Sequence, residues 1–239
     1  MIATFTHLGK LGRMGNTMFQ IAATIGYAKR HGFEFAFPKW SYQQYFKNPL
    51  PELYPHVNRF IPYQEKSFNY YEIPAYKQGI DLYGYFQSEK HFAHCKDEIK
   101  HYFCPEKEYE KSNFTSIHIR RTDYLELSHY HNVLPLSYYH NAISHFDNTM
   151  FMVFSDDISW CMENFKGDNF VFIKTENDIE DFFLMSGCKN NIIANSSYSW
   201  WAAWLNDNPD KKVIAPKDWF GVKANKNPKD LYCEGWLVL

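Results

Sequence analysis

A chain of 239 residues suffices for one large domain or two small ones. Its 25 basic and 27 acidic side chains give a net charge of −2. This balance gives no sign of a surface that binds nucleic acid. Five cysteines without a CxxC pair speak against a disulfide framework and a zinc site, so we interpret them as reduced thiols. No apolar run approaches the roughly 20 residues that cross a bilayer, and we therefore expect a cytoplasmic protein with neither a signal peptide nor an integral membrane segment.

The first forty residues alternate between strand and helix patterns. Residues 2–7 form a predicted strand and are followed by a glycine-rich loop at 9–16. Apolar residues at helical spacing then predict a helix that ends at Gly32, and residues 33–37 form a second predicted strand. This order is typical of nucleotide-binding folds, although the glycines match neither G-x-G-x-x-G nor the P-loop pattern.

The middle of the chain has no clear period. Several prolines interrupt residues 40–112, where tyrosine and phenylalanine are frequent. We predict one helix over residues 88–103, with apolar side chains on one face. A domain boundary is expected near residues 105–112, where charged residues surround a proline.

From residue 115 onward, strand and helix patterns alternate regularly. The predicted strands cover residues 115–120, 150–154, 169–173, 191–194 and 212–215. The predicted helices cover residues 136–146, 158–165, 178–187 and 198–206. Such alternation predicts an α/β protein with a parallel sheet covered by helices.

The first of these strands ends in two adjacent arginines, Arg120 and Arg121. In an open α/β sheet, ligands gather at the carboxyl ends of the strands, and the arginine fork matches phosphate oxygens. Side chains alternate along a strand, so one arginine can reach a ligand while the other anchors against Asp123 or the loop. A strand edge with two surface arginines is the plainer alternative.

Three stretches resemble the bacterial-type α-1,2-fucosyltransferases. His-Ile-Arg-Arg-Thr-Asp at residues 118–123 is similar to the His-x-Arg-Arg-x-Asp motif of fucosyltransferases that use GDP-fucose. Gly-Tyr-Phe-Gln-Ser-Glu-Lys at residues 84–90 and Asn-Ile-Ile-Ala-Asn-Ser-Ser-Tyr-Ser-Trp-Trp at residues 191–201 narrow the resemblance to this family. The three motifs occur in the family's order, and the likeness covers most of the chain.

The resemblance implies a GT-B-type glycosyltransferase with two Rossmann-like lobes. Residues 1–110 would form the acceptor-side lobe, and residues 111–239 would bind GDP-fucose. The implied reaction moves L-fucose from GDP-β-L-fucose to the 2-hydroxyl of a terminal galactose on a glycan acceptor, with inversion. Two alternatives stay open: another GDP-sugar transferase, such as a protein O-fucosyltransferase, and a non-catalytic module that binds a nucleotide sugar or a glycan. A peripheral association with the membrane where glycans are assembled is compatible with each.

The phosphate site is predicted at Asn195, Ser196 and Ser197, between a buried strand and the next helix. Free backbone N–H groups at a helix start, together with serine hydroxyls, form an anion site, whereas the plainer interpretation is a serine that caps the helix. We expect Arg120 to share the diphosphate with this segment. Asp123 is expected beside Arg121 as an ion-pair partner with a lowered pKa. The predicted catalytic residues are Arg120, Arg121 and Asp123.

The resemblance assigns the remaining donor contacts. Asp181, at a predicted helix start, would accept hydrogen bonds from the guanine, and His118 would lie near the base. Gly12, Gly15 and Asn16 match the glycine-rich segment that reaches the phosphate and the fucose. Most of the other ten histidines are interpreted as surface or interior residues.

The acidic pair Asp156-Asp157 invites a metal site of the D-x-D kind, but it also has the pattern of a helix cap. Because arginine supplies the positive charge and members of the family work without metal, we expect no metal and no other cofactor. The general base is not identified, and Glu126, His129 and His131 are the open candidates.

Overall fold

The computed structural model describes residues 1–54, 59–175 and 177–239. These residues divide into two compact units, with the break between Glu108 and Tyr109, two residues before the predicted lobe boundary. Residues 229–231, which that boundary assigns to the second lobe, belong to the first unit, and residues 232–239 return to the second. Each unit has its own sheet.

The first unit is built on a four-stranded parallel sheet with the order β2-β1-β4-β3. Its strands are β1 (Ile2–Thr4), β2 (Glu34–Phe35), β3 (Ile61–Gln64) and β4 (Ile80–Tyr83). Its helices are α1 (Met14–His31) and α2 (Lys96–Tyr102). Helix α1 ends as predicted, because Gly32 adopts a left-handed conformation (φ 67°) and its N–H bonds to Ala28 O.

Two features of the middle region differ from the predictions. Strands β3 and β4 lie in the stretch without a clear period, and β3 contains Pro62. Proline is tolerated there because β3 is an edge strand. The single helix predicted over residues 88–103 is wrong in its first half, which forms two 3-10 turns before α2 begins at Lys96. Phe92 separates the two turns, since its backbone (φ −137°, ψ 2°) lies outside the helical region.

The second unit has a six-stranded parallel sheet with the order β10-β9-β8-β5-β6-β7. Its strands are β5 (Ser112–Ile119), β6 (Phe151–Ser155), β7 (Phe170–Ile173), β8 (Cys188–Ile192), β9 (Val213–Ala215) and β10 (Leu237–Val238). Its helices are α3 (Thr122–Glu126), α4 (Leu136–Ile143), α5 (Ile158–Asn164), α6 (Asp178–Ser186) and α7 (Ser197–Leu205). Two parallel sheets, one in each unit, confirm the predicted α/β class of two Rossmann-like lobes, as in GT-B enzymes.

Strand β5 is central in the second sheet, and its two faces differ. Ile117 and Ile119 are buried in an apolar core with residues of α4 and α5, whereas His118 points to the opposite face. Because β5 pairs with both β6 and β8 in parallel, the segments that follow these strands meet at one edge of the sheet. Among the described residues, no helix combines the length and apolar character needed to cross a membrane.

Candidate active site

Arg120 is the first residue after β5, and two carboxylates hold its guanidinium. Its Nε and Nη2 donate to the two oxygens of Asp123 at 2.9 and 2.8 Å, and Nε lies 3.3 Å from an oxygen of Asp156. Burial alone would lower the pKa of Arg120, but the hydrogen bonds to Asp123 and the charges of Asp156 and Asp123 raise it above the ordinary value. No hydrogen-bond partner of Nη1 lies among the described residues. That edge is therefore available to an anion.

Arg121 points to the other side, as strand alternation predicts, and it is packed against protein. Its Nε donates to Asp157 at 3.1 Å, and its guanidinium carbon lies 3.9 Å from the ring centroid of Trp160. Only 16% of the side chain is exposed. These are the contacts of an anchor, and a direct catalytic role for Arg121 stays a prediction.

The expected ion pair between Asp123 and Arg121 is wrong. Helix α3 begins at Thr122, so Asp123 lies in its first turn, and its side chain returns to Arg120, three residues earlier. A helical start brings residues three apart onto one side. The prediction paired Asp123 with Arg121, the arginine nearer in sequence, because it assumed an extended loop after the strand.

The acidic pair after β6 caps helices. Asp156 accepts from the N–H groups of Arg121 and Thr122 at 2.9 and 3.2 Å and from the Thr122 hydroxyl at 2.5 Å, which fixes the start of α3. Asp157 accepts from Trp160 N at 3.2 Å and caps α5. Among the described residues, no group of three His, Cys, Asp or Glu side chains is arranged to hold a metal ion. The capping alternative thus accounts for both aspartates.

Asp181 lies in the first turn of α6, where Thr175 fixes its carboxylate. The Thr175 hydroxyl donates to Asp181 Oδ1 at 2.8 Å. Half-burial raises the pKa of Asp181, and the bonds from Thr175 oppose that rise. Tyr198 lies beside this helix, since its hydroxyl donates to Asp178 O and its ring packs on Phe182 at a centroid distance of 5.5 Å. Sequence reasoning missed Tyr198, although it begins the Tyr-Ser-Trp-Trp run.

His118 is an interior residue. Its Nδ1 lies 2.9 Å from Ser199 Oγ, its ring packs against Tyr198 at a centroid distance of 5.3 Å, and 6% of its surface is exposed. Burial lowers the pKa of His118 to about 3, so the ring is neutral at physiological pH. A contact between His118 and the guanine base stays a prediction, whereas the packing of its ring against Tyr198 is a direct contact.

The predicted phosphate segment forms the start of α7. Ser196 caps the helix, with its hydroxyl accepting from Tyr198 N, and Ser197 is the first helical residue. The first N–H groups of a helix have no partner within it, so the cap and an anion site can coexist. The side chain of Asn195 donates instead to the carbonyls of Asn132 and Trp219 at 2.8 and 2.9 Å. Asn195 therefore braces two loops.

The glycine-rich loop belongs to the first unit. Gly12 has φ +84°, and a Cβ there would lie 2.0 Å from Asn16 Nδ2, so the amide of Asn16 occupies the space beside it. Gln87 donates to Asn16 Oδ1 at 2.6 Å, which leaves the Asn16 amide group as a donor. Gly15 is buried in the first turn of α1. The contact joins two of the recognised motifs, which lie 71 residues apart.

The three open candidates for the general base, Glu126, His129 and His131, differ in their surroundings. Glu126 and His129 are exposed. His131 stacks on Tyr124 with centroids 4.5 Å apart and planes at 15°, and Arg120 lies 5.8 Å from the ring centroid of Tyr124. Burial is the main cause of a lowered pKa for His131. None of these contacts identifies a base.

Comparison with known proteins gives several related glycosyltransferases. O-antigen biosynthesis glycosyltransferase WbnK of Escherichia coli is 41% identical over 141 residues, which cover 54% of this chain and 46% of that protein. Alpha-1,2-colitosyltransferase of Escherichia coli is 37% identical over 183 residues, covering 67% and 63%. Galactoside alpha-(1,2)-fucosyltransferase 1 of Bos taurus is 26% identical over 274 residues, covering 91% and 76%. The chain thus spans less than two thirds of the length of the two Escherichia coli proteins.

A solved structure, fucosyltransferase NodZ from Bradyrhizobium, aligns with 84% of this chain and 90% of its own at 11% identity and a TM-score of 0.48, and we base nothing on a likeness at that level. The model of glycosyl transferase family 11 matches residues 30–239. The match includes β5, Arg120, Asp123, Asp181 and the start of α7, and it leaves the Gly12 loop outside. The chain is therefore a member of glycosyl transferase family 11.

Proposed function

We propose that this chain is a galactoside 2-α-L-fucosyltransferase, which moves L-fucose from GDP-β-L-fucose to the 2-hydroxyl of a terminal galactose on a glycan acceptor. Family membership over residues 30–239 and the similarity to galactoside α-(1,2)-fucosyltransferases over most of the chain support this reaction. The observation that carries the proposal is the guanidinium of Arg120, which two carboxylates fix while its Nη1 edge stays available.

Arg120 stabilises the leaving group. Breaking the bond between C1 of fucose and the β-phosphate oxygen transfers an electron pair to GDP. Donors that are already in place stabilise this charge without reorganisation. Asp123 and Asp156 hold Arg120 in one orientation, and the first N–H groups of α7 supply further donors. Direct attack by the acceptor hydroxyl inverts the configuration at C1, from the β-linked donor to an α-linked product, and requires no covalent nucleophile.

Asp181 recognises the guanine in this proposal. The N1–H and the 2-amino group of guanine both donate, and a carboxylate accepts from both. Adenine lacks this pair of donors. The bond from Thr175 at 2.8 Å supports the assignment, because it holds the carboxylate of Asp181 in one rotamer.

The proposed reaction runs without a metal ion. The two aspartates that would suit one are engaged with backbone N–H groups and with arginines. Arg120 carries a permanent positive charge, which a D-x-D enzyme obtains from its cation. In the first unit, Gly12, Gly15 and Asn16 are proposed to approach the sugar nucleotide.

A different sugar nucleotide, one that carries colitose, is a specific alternative to GDP-fucose as the donor. The Escherichia coli relative that covers 67% of this chain is named as a colitosyltransferase. Colitose is the 3-deoxy form of L-fucose, so the two donors differ at one hydroxyl of the sugar. A donor site that hydrogen-bonds this hydroxyl would discriminate between them strongly.

The experiment compares GDP-fucose and GDP-colitose with a galactose-terminated acceptor, each with and without EDTA, and determines the linkage of the product by NMR. An α-1,2-fucosylated galactose formed in EDTA supports the proposal in full. Transfer from GDP-colitose alone would replace the donor and keep the reaction class. Transfer that requires a divalent cation would overturn the metal-free step. Binding of GDP-fucose without transfer to any of a broad acceptor panel would favour the binding module.

A further inference from the structure

In the first unit, a carboxylate at the end of one strand holds the loop that follows the neighbouring strand. Glu65 comes directly after β3, and Gly84 comes directly after β4. The two strands pair in parallel up to Gln64 and Tyr83, so Glu65 and Gly84 both lie at the carboxyl edge of the sheet. Ligands bind at this edge in open α/β folds. Glu65 lies outside the three motifs on which the family resemblance rests.

The Glu65 carboxylate accepts hydrogen bonds from two successive backbone N–H groups of this loop. Its Oε2 accepts from Tyr85 N at 2.8 Å, and its Oε1 accepts from Phe86 N at 2.8 Å. Hydrogen bonds to a carboxylate are stronger than those between neutral groups, and two of them fix the orientation of the loop as well as its position. A Cβ at Gly84 would lie 2.3 Å from Glu65 Cβ, so only glycine leaves room for this close approach.

The loop held by Glu65 has an unfavourable backbone conformation at Phe86. Its φ of 51° lies in the left-handed region, which bulky side chains rarely adopt. Such a conformation persists only where the surroundings impose it. Here it is imposed by the bond to Glu65 and by the burial of the Phe86 ring against Phe5 and His91. Strained residues of this kind cluster at ligand sites, and the residue that follows Phe86 makes a contact relevant to such a site.

Gln87 follows Phe86 and reaches the glycine-rich loop. Its Nε2 donates to Asn16 Oδ1 at 2.6 Å. Because this oxygen is engaged, Asn16 presents its Nδ2 group, which lies beside Gly12 and has no hydrogen-bond partner in the part of the chain that the structure describes. The nitrogen of a carboxamide only donates. Asn16 is therefore suited to a ligand group that accepts, such as a phosphate oxygen or an oxygen of a sugar.

We propose that Glu65 is a positioning residue for the donor substrate. By holding the loop through Tyr85 and Phe86, it places Gln87 so that the amide of Asn16 is presented to GDP-fucose as a hydrogen-bond donor. The proposal rests on the proposed transferase function and deepens it, because it identifies a residue that controls the affinity for the sugar nucleotide through other residues. All the contacts that carry it lie within the first unit.

The first experiment measures the affinity for GDP-fucose by calorimetry, and kcat, in Glu65→Gln. This variant keeps one accepting oxygen and turns an amino group toward a backbone N–H, so the loop loses one of its two bonds. The matched control is Glu72→Gln, which removes the same charge from an exposed residue of the same unit. One hydrogen bond between neutral groups changes an affinity about 2- to 10-fold. We expect Glu65→Gln to bind GDP-fucose more weakly by that factor at nearly unchanged kcat, and Glu72→Gln to equal the original chain.

Two results of this experiment would overturn the proposal. One is an unchanged affinity for GDP-fucose in Glu65→Gln. The other is a lower fraction of binding-competent protein, with a lower kcat, at unchanged affinity, because partial unfolding alone produces that pattern. Urea unfolding of both variants measures the accompanying change in stability.

The second experiment tests the sequence of contacts from Glu65 to Asn16. Gln87→Met removes the bond to Asn16 and leaves Glu65 in place, so we expect it to weaken GDP-fucose binding as Glu65→Gln does. The double variant should bind no more weakly than either single variant, because both substitutions act through the same amide. In an Asn16→Ala background, neither substitution should weaken binding further. Additive losses would show that Glu65 acts by another route and would overturn the proposal.

NMR of the ligand-free protein separates this inference from the proposed function. The side-chain amide signals of Asn16 and Gln87 should shift in Glu65→Gln and stay in place in Glu72→Gln. If the original chain neither binds GDP-fucose nor transfers fucose, the proposed function fails, while the NMR result still tests whether Glu65 orients Asn16. If transfer proceeds and Glu65→Gln changes neither these signals nor the affinity, the inference about Glu65 fails alone.

Discussion

Arg120 and Asp123 meet in a two-point contact, with Nε–Oδ1 and Nη2–Oδ2 distances of 2.9 and 2.8 Å. Two parallel bonds fix the plane of a guanidinium as well as its position. The contact occupies one edge of Arg120, so only the opposite edge can meet an anion. Asp123 therefore orients the guanidinium of Arg120, since both of its carboxylate oxygens accept from this arginine.

Arg120→Lys should lower the transfer rate at least 100-fold, because lysine keeps the charge but cannot bind Asp123 and a phosphate through two separate edges. Arg120→Ala should also destabilise the second unit, since it leaves the carboxylates of Asp123 and Asp156 close together without their cation. Steady-state kinetics and urea unfolding measure both effects. The double variant Arg120→Ala with Asp123→Asn should recover part of the stability and none of the activity. Recovery of activity would contradict the role of Arg120.

The contact between Arg121 and Trp160 should contribute to the free energy of unfolding rather than to catalysis. The guanidinium carbon lies 3.9 Å from the ring centroid on a side chain that is mostly buried, where a cation–π contact contributes about 1–2 kcal/mol. A double-mutant cycle with Arg121→Gln and Trp160→Leu should give a coupling free energy of that order in urea unfolding. A coupling near zero, with a large loss of kcat in Arg121→Gln, would indicate that Arg121 meets the substrate directly.

Asp181→Asn should weaken GDP binding, because the amide presents a donor to the donors of guanine. Hydrogen bonds to a charged group contribute about 1.5–3 kcal/mol, so we expect a loss of about 10- to 100-fold in calorimetry, with little change for ADP. Asp178→Asn is the matched control. It lies in the same first turn but is exposed, and only its backbone oxygen accepts from Tyr198. Equal losses in both variants would mean a general effect of charge.

His118 should make the second unit less stable as the pH falls. Its pKa is about 3 in the folded protein and about 6.5 when unfolded, so below pH 6.5 the unfolded chain binds a proton that the folded chain does not. Stability is therefore lost as the pH falls from about 6.5 toward 3, at up to about 1.4 kcal/mol per pH unit. Urea unfolding followed by tryptophan fluorescence suits this test, since six of the seven tryptophans lie in the second unit.

The free energy of unfolding should depend less on pH in His118→Gln, although this variant is less stable than the original chain at neutral pH. The other buried histidine with a lowered pKa, His91, is present in both proteins and cancels in the difference. Equal pH slopes in the two proteins would show that His118 takes up its proton in the folded state.

Gly12→Ala and Gly9→Ala form a matched pair. Both glycines have φ +84°, but only at Gly12 would a Cβ meet another group, Asn16 Nδ2 at 2.0 Å. Gly9→Ala should lose about 1 kcal/mol of stability through backbone strain. Gly12→Ala should lose that amount, displace the Asn16 amide and weaken GDP-fucose binding in calorimetry. Equal effects of the two variants on binding would remove Asn16 from the donor site.

The amino-acid sequence by itself determined β5 to β9 and α4 to α7 of the second unit, the end of α1 at Gly32 and the family, whereas α3 and β10 were not predicted. These features are local, since each depends on the period of side chains or on the residue at one turn. The pattern also placed Arg120 and Arg121 on opposite sides of their strand. It did not reveal β3 and β4, whose stretch is interrupted by prolines.

Only the tertiary structure decided which groups are partners. Asp123 turned to Arg120 because a helix starts at Thr122, and Asp156 joined them because β6 lies beside β5. Asp81 reached Thr6, 75 residues away, because β1 and β4 pair in parallel. Such contacts depend on the order and register of strands, which no period along the chain encodes, and for that reason the sequence did not reveal them.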